Sequence, residues 1–171
     1  MNGYIHIGKV VAATGTKGEL LISHVLKTKT SLENTKAVFI ETRRETYIPY
    51  FILHAKGRDE ELLTIQLEGI ETREAARVLV SRNVWLPDED FRRLAGHSAP
   101  LSLLGYLVIN EGETLSEIEE VIEQPHQVLL RITLGGREAL IPLHAETLAR
   151  IDRKKKQVHV VLPEGLLDIY R

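Results

Sequence analysis

Apolar positions fall in short runs of Val, Ile and Leu that are cut off by glycine or charge at intervals typical of strands. In the first half this pattern predicts strands at Tyr4 to Ala12, Glu19 to His24, Ala37 to Glu41, Thr46 to His54, Leu62 to Leu67 and Asn83 to Leu86. Six short strands without a long helix suggest a small barrel or sandwich. One helix interrupts them, with Thr72 suited to its N-cap and Ala75, Ala76 and Leu79 at helical spacing. The second half predicts strands at Leu103 to Ile109, Thr114 to Glu123, Gln127 to Leu134, Arg137 to Pro142 and Gln157 to Leu162, with a helical turn over Ala145 to Ile151. Asn110-Glu111-Gly112 and Gly135-Gly136 suit tight hairpin turns. The expected fold class is mainly β, as two small β-barrel domains with no matched internal repeat.

Between Pro87 and Pro100 the composition shifts to Asp88, Glu89, Asp90, Arg92 and Arg93 with few apolar residues, followed by Gly96, His97 and Ser98. This segment reads as a linker, which places the domains at residues 1–95 and 96–171. The last segment, Pro163 to Tyr170, is too apolar for a free tail and is expected to fold back as a short turn or helix.

Composition narrows the function classes. The chain has 171 residues, 43% hydrophobic and 27% charged, with net charge -2, which excludes a disordered chain. A pI near 6.4 excludes a globally basic nucleic-acid binder and leaves local patches to consider. With no cysteine, disulfides, thiolate metal sites and cysteine nucleophiles are ruled out. The amino terminus, Met1 to His6, has no basic region followed by an apolar stretch, so no signal peptide is expected. No apolar run approaches the ~20 residues that cross a bilayer, so the expectation is a cytoplasmic protein without membrane contact.

Candidate chemistry is sparse. Thr14-Gly15-Thr16-Lys17-Gly18 superficially looks like a phosphate-binding loop, but Thr16 separates Gly15 from Lys17 and a strand follows where that motif needs a helix. The loop is then either a glycine turn alone or an exposed tip that presents Thr16 and Lys17 to a partner. No two of the seven histidines lie closer than 15 residues, so no metal motif is expected. The serines lack a glycine-flanked elbow, and no catalytic residue or cofactor is indicated. In a continuous strand Glu117, Glu119 and Glu123 would share one face opposite Ile118 and Ile122, as a solvated face or a dock for a basic partner. Residues 1–95 carry 14 Lys+Arg against 13 Asp+Glu, net +1, and residues 96–171 carry 8 against 11, net -3. Basic residues concentrate at Lys9, Lys17, Lys27, Lys29, Lys36, Arg43 and Arg44, and again at Arg150, Arg153, Lys154, Lys155 and Lys156. Each cluster is either a solubilising turn or a phosphate contact.

Three stretches carry a likeness to a known family. They are Ile7-Gly8-Lys9-Val10-Val11-Ala12-Ala13-Thr14-Gly15-Thr16-Lys17-Gly18-Glu19-Leu20; Ile70 with Arg73, Ala75, Ala76 and Leu79, then Val84 to Pro87; and Leu140-Ile141-Pro142-Leu143 with Leu162-Pro163-Glu164-Gly165-Leu166-Leu167-Asp168-Ile169-Tyr170. In this order they resemble the RimM family of bacterial ribosome maturation factors, over nearly the whole chain. The resemblance implies a translation-factor-like six-stranded barrel followed by a PRC barrel. It also implies a monomeric, non-enzymatic factor that binds the immature 30S subunit, engages the nineteenth small-subunit protein in its head, and assists 16S rRNA maturation with possible contact to that RNA. Partner- or RNA-binding candidates are Lys9, Thr14, Gly15, Thr16, Lys17, Gly18, Lys154, Lys155 and Lys156. Thr14 stands where the family usually has histidine, and Ser98-Ala99-Pro100-Leu101 replaces an aromatic doublet that often precedes Leu104-Gly105. The alternatives are a small β-barrel RNA-modifying or flavin-type enzyme and a protein-only adaptor.

Overall fold

In the first strands alternate residues turn inward, so Ile5 and Ile7 are buried while Tyr4 and His6 face outward. The computed structural model describes residues 3–95 and 100–170, and the chain divides into two compact units, Met1–Gly96 and His97–Arg171. In the first unit β1 (Tyr4–Thr14), β2 (Glu19–His24), β3 (Ala37–Arg43), β4 (Thr46–Gly57), β5 (Leu62–Leu67) and β6 (Asn83–Pro87) close into a barrel in the order β1-β2-β5-β4-β3-β6. Ile7, Leu20, Ile22, Ile40, Leu63, Ile65 and Leu86 fill its interior. Strand β1 pairs with both β2 and β6, and Gly8 lies in the overlap, opposite His24 and Val84. A Cβ on Gly8 would collide with the Ser23 carbonyl oxygen, so glycine is what allows this crossing. Helix α1 (Arg73–Arg77) is capped by Thr72, whose Oγ1 accepts from the Ala75 N–H at 3.1 Å.

The segment expected to be a linker is largely part of this unit. Residues Asp88–Ala95 form helix α2, and Phe91 on it is 0% exposed. The charges that suggested a linker are ordered along the helix: Asp88, Glu89 and Asp90 occupy the first turn, Arg92 and Arg93 the last, which complements the macrodipole. Arg92 pairs with Asp88 at 3.2 Å and Arg93 with Asp90 at 2.9 Å. Gly96, His97, Ser98 and Ala99 lie outside the described residues.

At the end of β2, His24 is 2% exposed, and its Nδ1 accepts from the Leu26 N–H at 3.3 Å. Burial holds its pKa below the ordinary 6.5; Lys27 lowers it further, and Asp59 and Glu61 oppose the shift. The folded unit therefore keeps a neutral imidazole. As pH falls through 6.5 the unfolded chain takes a proton that the folded chain refuses, so stability is full above 6.5 and declines below it. The unfolding midpoint followed by fluorescence of Trp85, the sole tryptophan, should be lower at pH 5.5 than at 7.5. His24→Asn should flatten that dependence even if it lowers stability throughout, and an equally steep profile in the variant would refute the assignment.

The second unit has two sheets. One orders β11 (Arg137–Leu143), β10 (Gln127–Leu134) and β9 (Glu120–Gln124); the other orders β12 (Leu148–Asp152), β13 (Gln157–Val160), β7 (Leu107–Asn110) and β8 (Glu113–Glu117). Pairing between β13 and β7 is parallel and the rest is antiparallel. Both glycine turns form as expected: Glu111 and Gly112 have φ of 48° and 91°, Gly135 and Gly136 have 60° and 80°.

Three segments differ from the sequence pattern. Thr114 to Glu123 is two strands, because the chain changes sheets at Ile118. That side chain is buried, its N–H donates to the Tyr106 carbonyl, and the next N–H, of Glu119, donates to Arg131 on β10. The three glutamates therefore share no single face, and Arg131 instead bridges Glu119 at 2.9 Å and Glu120 at 2.8 Å. Residues 145–151 do not form a helical turn throughout: only 145–147 turn, held by Thr147 Oγ1 donating to the Pro142 carbonyl at 2.8 Å, and Leu148 already begins β12. Leu101–Leu103 is a 3-10 turn, and the following strand starts only at Leu107 because Leu103, Leu104 and Tyr106 are buried through the intervening turn.

The final segment turns at Gly165 (φ 85°) into a 3-10 turn over Leu167–Ile169. Leu167 is 8% exposed, whereas Ile169 is 69% exposed, so only part of this apolar cluster is core. Leu167→Ala should destabilise the second unit by ~2–5 kcal/mol, the usual range for a buried leucine. Ile169→Ala should leave it within ~0.5 kcal/mol, as surface changes do. Thermal denaturation followed by circular dichroism checks both; equal effects would refute this division.

Candidate nucleic-acid interface

The loop between β1 and β2 is closed by the Thr14–Glu19 pair. Gly15 and Gly18 have φ of 65° and 85°, and Thr16 and Lys17 are exposed at the tip. Gly15 has open space where a Cβ would go, whereas a Cβ on Gly18 would strike the Ile70 carbonyl, with the carbonyl carbon at 2.8 Å. Gly18 therefore anchors the loop against the chain that enters α1, and the exposed tip is held out from that anchor. The Gln66 amide on β5 donates to the Lys17 carbonyl at 3.4 Å. The Thr14 hydroxyl is buried without a hydrogen-bond partner among the described residues. Lys9 is exposed on the same strand but five residues away, roughly 15 Å along an extended chain.

Lys154, Lys155 and Lys156 belong to the second unit, in the turn between β12 and β13. Asp152 Oδ1 accepts from the Lys155 N–H at 2.9 Å and the Lys154 N–H at 3.1 Å, which together hold its carboxyl below the ordinary carboxylate range. The turn is thereby shaped by backbone bonds, and the three ammonium side chains are exposed. The predicted residues thus fall into a loop, one lysine on the first barrel, and a turn on the second unit.

Sequence reasoning missed an aromatic face on the first barrel. Tyr4, Phe39, Tyr47 and Trp85 come from β1, β3, β4 and β6, yet their rings meet: Tyr4 to Phe39 at 4.8 Å, Tyr4 stacked on Tyr47 at 5.8 Å, Tyr47 to Trp85 at 5.0 Å. His6 joins Trp85 at 5.1 Å. For three of the rings the signal was present as phase, because Tyr4, Phe39 and Trp85 each sit next to a buried Val or Ile and so point outward; Tyr47, between exposed Thr46 and Ile48, carries no such signal. Glu41 lies at the edge of this cluster. Burial raises its pKa, but the Glu45 N–H and the Asn83 amide bond to it and hold it below the ordinary 4.5. Such a half-buried aromatic face with an ionised carboxylate can stack planar groups or seat a cation.

A second omission is the alternation of His54, Lys56 and Arg58 at and just past the end of β4, legible as nitrogen-bearing side chains at a spacing of two and exposed in the structure. Among the described residues no three His, Cys, Asp or Glu side chains gather as a metal site, and no helix is long and apolar enough to cross a membrane.

A closed six-stranded barrel followed by a two-sheet β unit, each with exposed basic turns, defines a two-module protein of the β-barrel class. The chain belongs to the RimM family: residues 5–91 match the RimM N-terminal domain and residues 101–166 the RimM PRC barrel domain. The protein named "Ribosome maturation factor RimM" of Parabacteroides distasonis is 30% identical over 95% of each chain. Its namesake from Christiangramia forsetii is 29% identical over 96% of this chain and 95% of its own. A crystal structure of a RimM described as a 16S ribosomal RNA processing protein, from Pseudomonas aeruginosa, is 21% identical, covers 94% of this chain and 98% of its own, and has a TM-score of 0.45.

Proposed function

We propose that this chain is a ribosome maturation factor that binds the immature 30S subunit in the cytoplasm. One observation supports it above the rest: both RimM domains match in order, and relatives named as ribosome maturation factors align over nearly their full length. In this reading the protein engages the subunit head through its nineteenth protein, assists 16S rRNA processing, and acts as a monomer by binding, without catalysis of its own. Its two domains, 1–95 and 96–171, fold independently and make separate weak contacts that gain from effective concentration. Lys9, the Thr14–Gly18 loop and Lys154–Lys156 supply ammonium and backbone N–H groups for phosphate contact.

Sedimentation of bacterial extract tests the reading. The protein should travel with free small subunits and be missing from mature ribosomes. Lys17→Ala should leave the melting curve unchanged and weaken that association. Even distribution between free subunits and mature ribosomes would reject the proposal.

A further inference from the structure

The end of β4 meets β5 and β2 in a way that assembles a polar concavity on the outside of the first barrel. His54 pairs with Gln66 and Lys56 with Thr64 across β4 and β5, while Leu21 of β2 pairs with Thr64 from the other side. Because side chains alternate along a strand, His54 and Lys56 project outward, with Ala55 between them directed toward buried Ile65. Arg58 follows, and its Nε donates to Thr64 Oγ1 at 2.9 Å. Thr64 is only 7% exposed, so the guanidinium is oriented by a fixed group and keeps its two terminal nitrogens for another acceptor. Glu19, His54, Lys56, Arg58, Thr64 and Gln66 line a concavity of about 250 Å³.

Size and charge limit what this concavity can take. It falls below the ~300–1,000 Å³ of pockets that enclose whole drug-sized ligands or cofactors. Neither Lys56 nor Arg58 pairs with an acid among the described residues. Of the acids next in sequence, Asp59 Oδ1 accepts the N–H groups of Glu61 and Leu62, Glu61 pairs with Lys27 at 3.7 Å, and Glu60 is exposed outside the lining of the concavity. Gln66, which lines the concavity, also donates to the Lys17 carbonyl at 3.4 Å, so the backbone of the β1–β2 loop lies beside the same strand row. An arginine fork and a lysine two residues before it offer two cationic groups side by side, which suits successive phosphates in a chain rather than one isolated ion. Glu19, the one acid in the lining, would repel a bare phosphate but can accept from a ribose 2′-hydroxyl.

We propose that the β2–β5–β4 face of the first barrel is a binding site for an RNA backbone, with Lys56 and Arg58 on phosphate and Glu19 on the adjoining 2′-hydroxyl. The choice of RNA rests on the ribosomal reading above, whereas the anionic character of the ligand rests on the site itself. Anisotropy of a labelled 12-residue oligouridine, with the full chain, measures it directly.

Lys56→Glu with Arg58→Glu should weaken oligouridine binding at least about tenfold and flatten its salt dependence by ~0.7 for each phosphate no longer neutralised. Lys56→Gln, which leaves the Arg58–Thr64 bond in place, should weaken it less without changing the melting curve. The matching deoxy-oligomer should bind the wild type more weakly than the RNA, and Glu19→Ala should narrow that gap. Unchanged binding in both Lys56 variants would overturn the site, as would wild-type binding of the deoxy-oligomer equal to that of the RNA. A protein that binds oligouridine through these residues yet fails to sediment with small subunits would keep the site and refute the ribosomal reading. Normal sedimentation with oligouridine binding insensitive to Lys56 and Arg58 would do the reverse.

Discussion

Gly18→Ala should lower the unfolding midpoint of the first barrel by more than ~10 °C, while Gly15→Ala, in the same loop, should shift it by about half as much. Both residues have positive φ, 85° and 65°, so either alanine adds left-handed backbone strain of ~1–2 kcal/mol. Only at Gly18 does the new methyl strike a fixed backbone group, the Ile70 carbonyl; at Gly15 it meets nothing within 4 Å. Shifting that carbonyl adds strain of ~1–3 kcal/mol, for a total near 3. In a domain of this size ~1 kcal/mol moves the midpoint by ~4–8 °C. Trp85 lies in the first unit and is the only tryptophan, so its fluorescence reports that unit without interference from the second. Equal shifts for the two variants would mean that φ alone matters and that the contact with Ile70 is not limiting.

Phe91→Ala should destabilise the same unit by ~3–5 kcal/mol, the cost of deleting a large buried aromatic. Phe91 is fully buried and is what turns a charged stretch into a docked helix. Arg93 adds a polar tie, donating to the Asn34 carbonyl at 2.9 Å and to Thr35 Oγ1 at 3.2 Å. Glu89→Ala, on the exposed side of α2, is the control and should change little. The two variants also differ in proteolysis: the wild type and Glu89→Ala should resist cleavage within 88–95, while Phe91→Ala should open that segment. A Phe91→Ala protein with wild-type stability and resistance would return these residues to the status of a linker.

Strands of the first barrel such as β2 and β3 were legible because each carries its own alternation; Val38 and Ile40 point in and Phe39 points out whatever the neighbouring strand does, whereas β4, with Ile48, Phe51 and Leu53 all exposed, was legible only as an apolar run. Thr72 and the paired glycines of the hairpin turns were legible for the same reason, since capping and positive φ are satisfied within a few residues. The family likeness was legible through motifs of the same local kind, glycine turns and short apolar strands in a set order. Ile118 was not: its neighbours read as one strand, and only its bonds to Tyr106 on one side and the Glu119–Arg131 bond on the other divide them between two sheets. The same holds for α2, whose charges look solvated until Phe91 has a core to enter. Candidate sites depended still more on the fold. Lys17 could be picked from its loop, but the aromatic face and the row of Lys56 and Arg58 beside Thr64 and Gln66 exist only because β-pairing brings separate strands together. Local periodicity and turn chemistry therefore determined which elements form in this chain. The tertiary structure decided which surfaces they build, because surface contacts join residues that sequence order keeps apart.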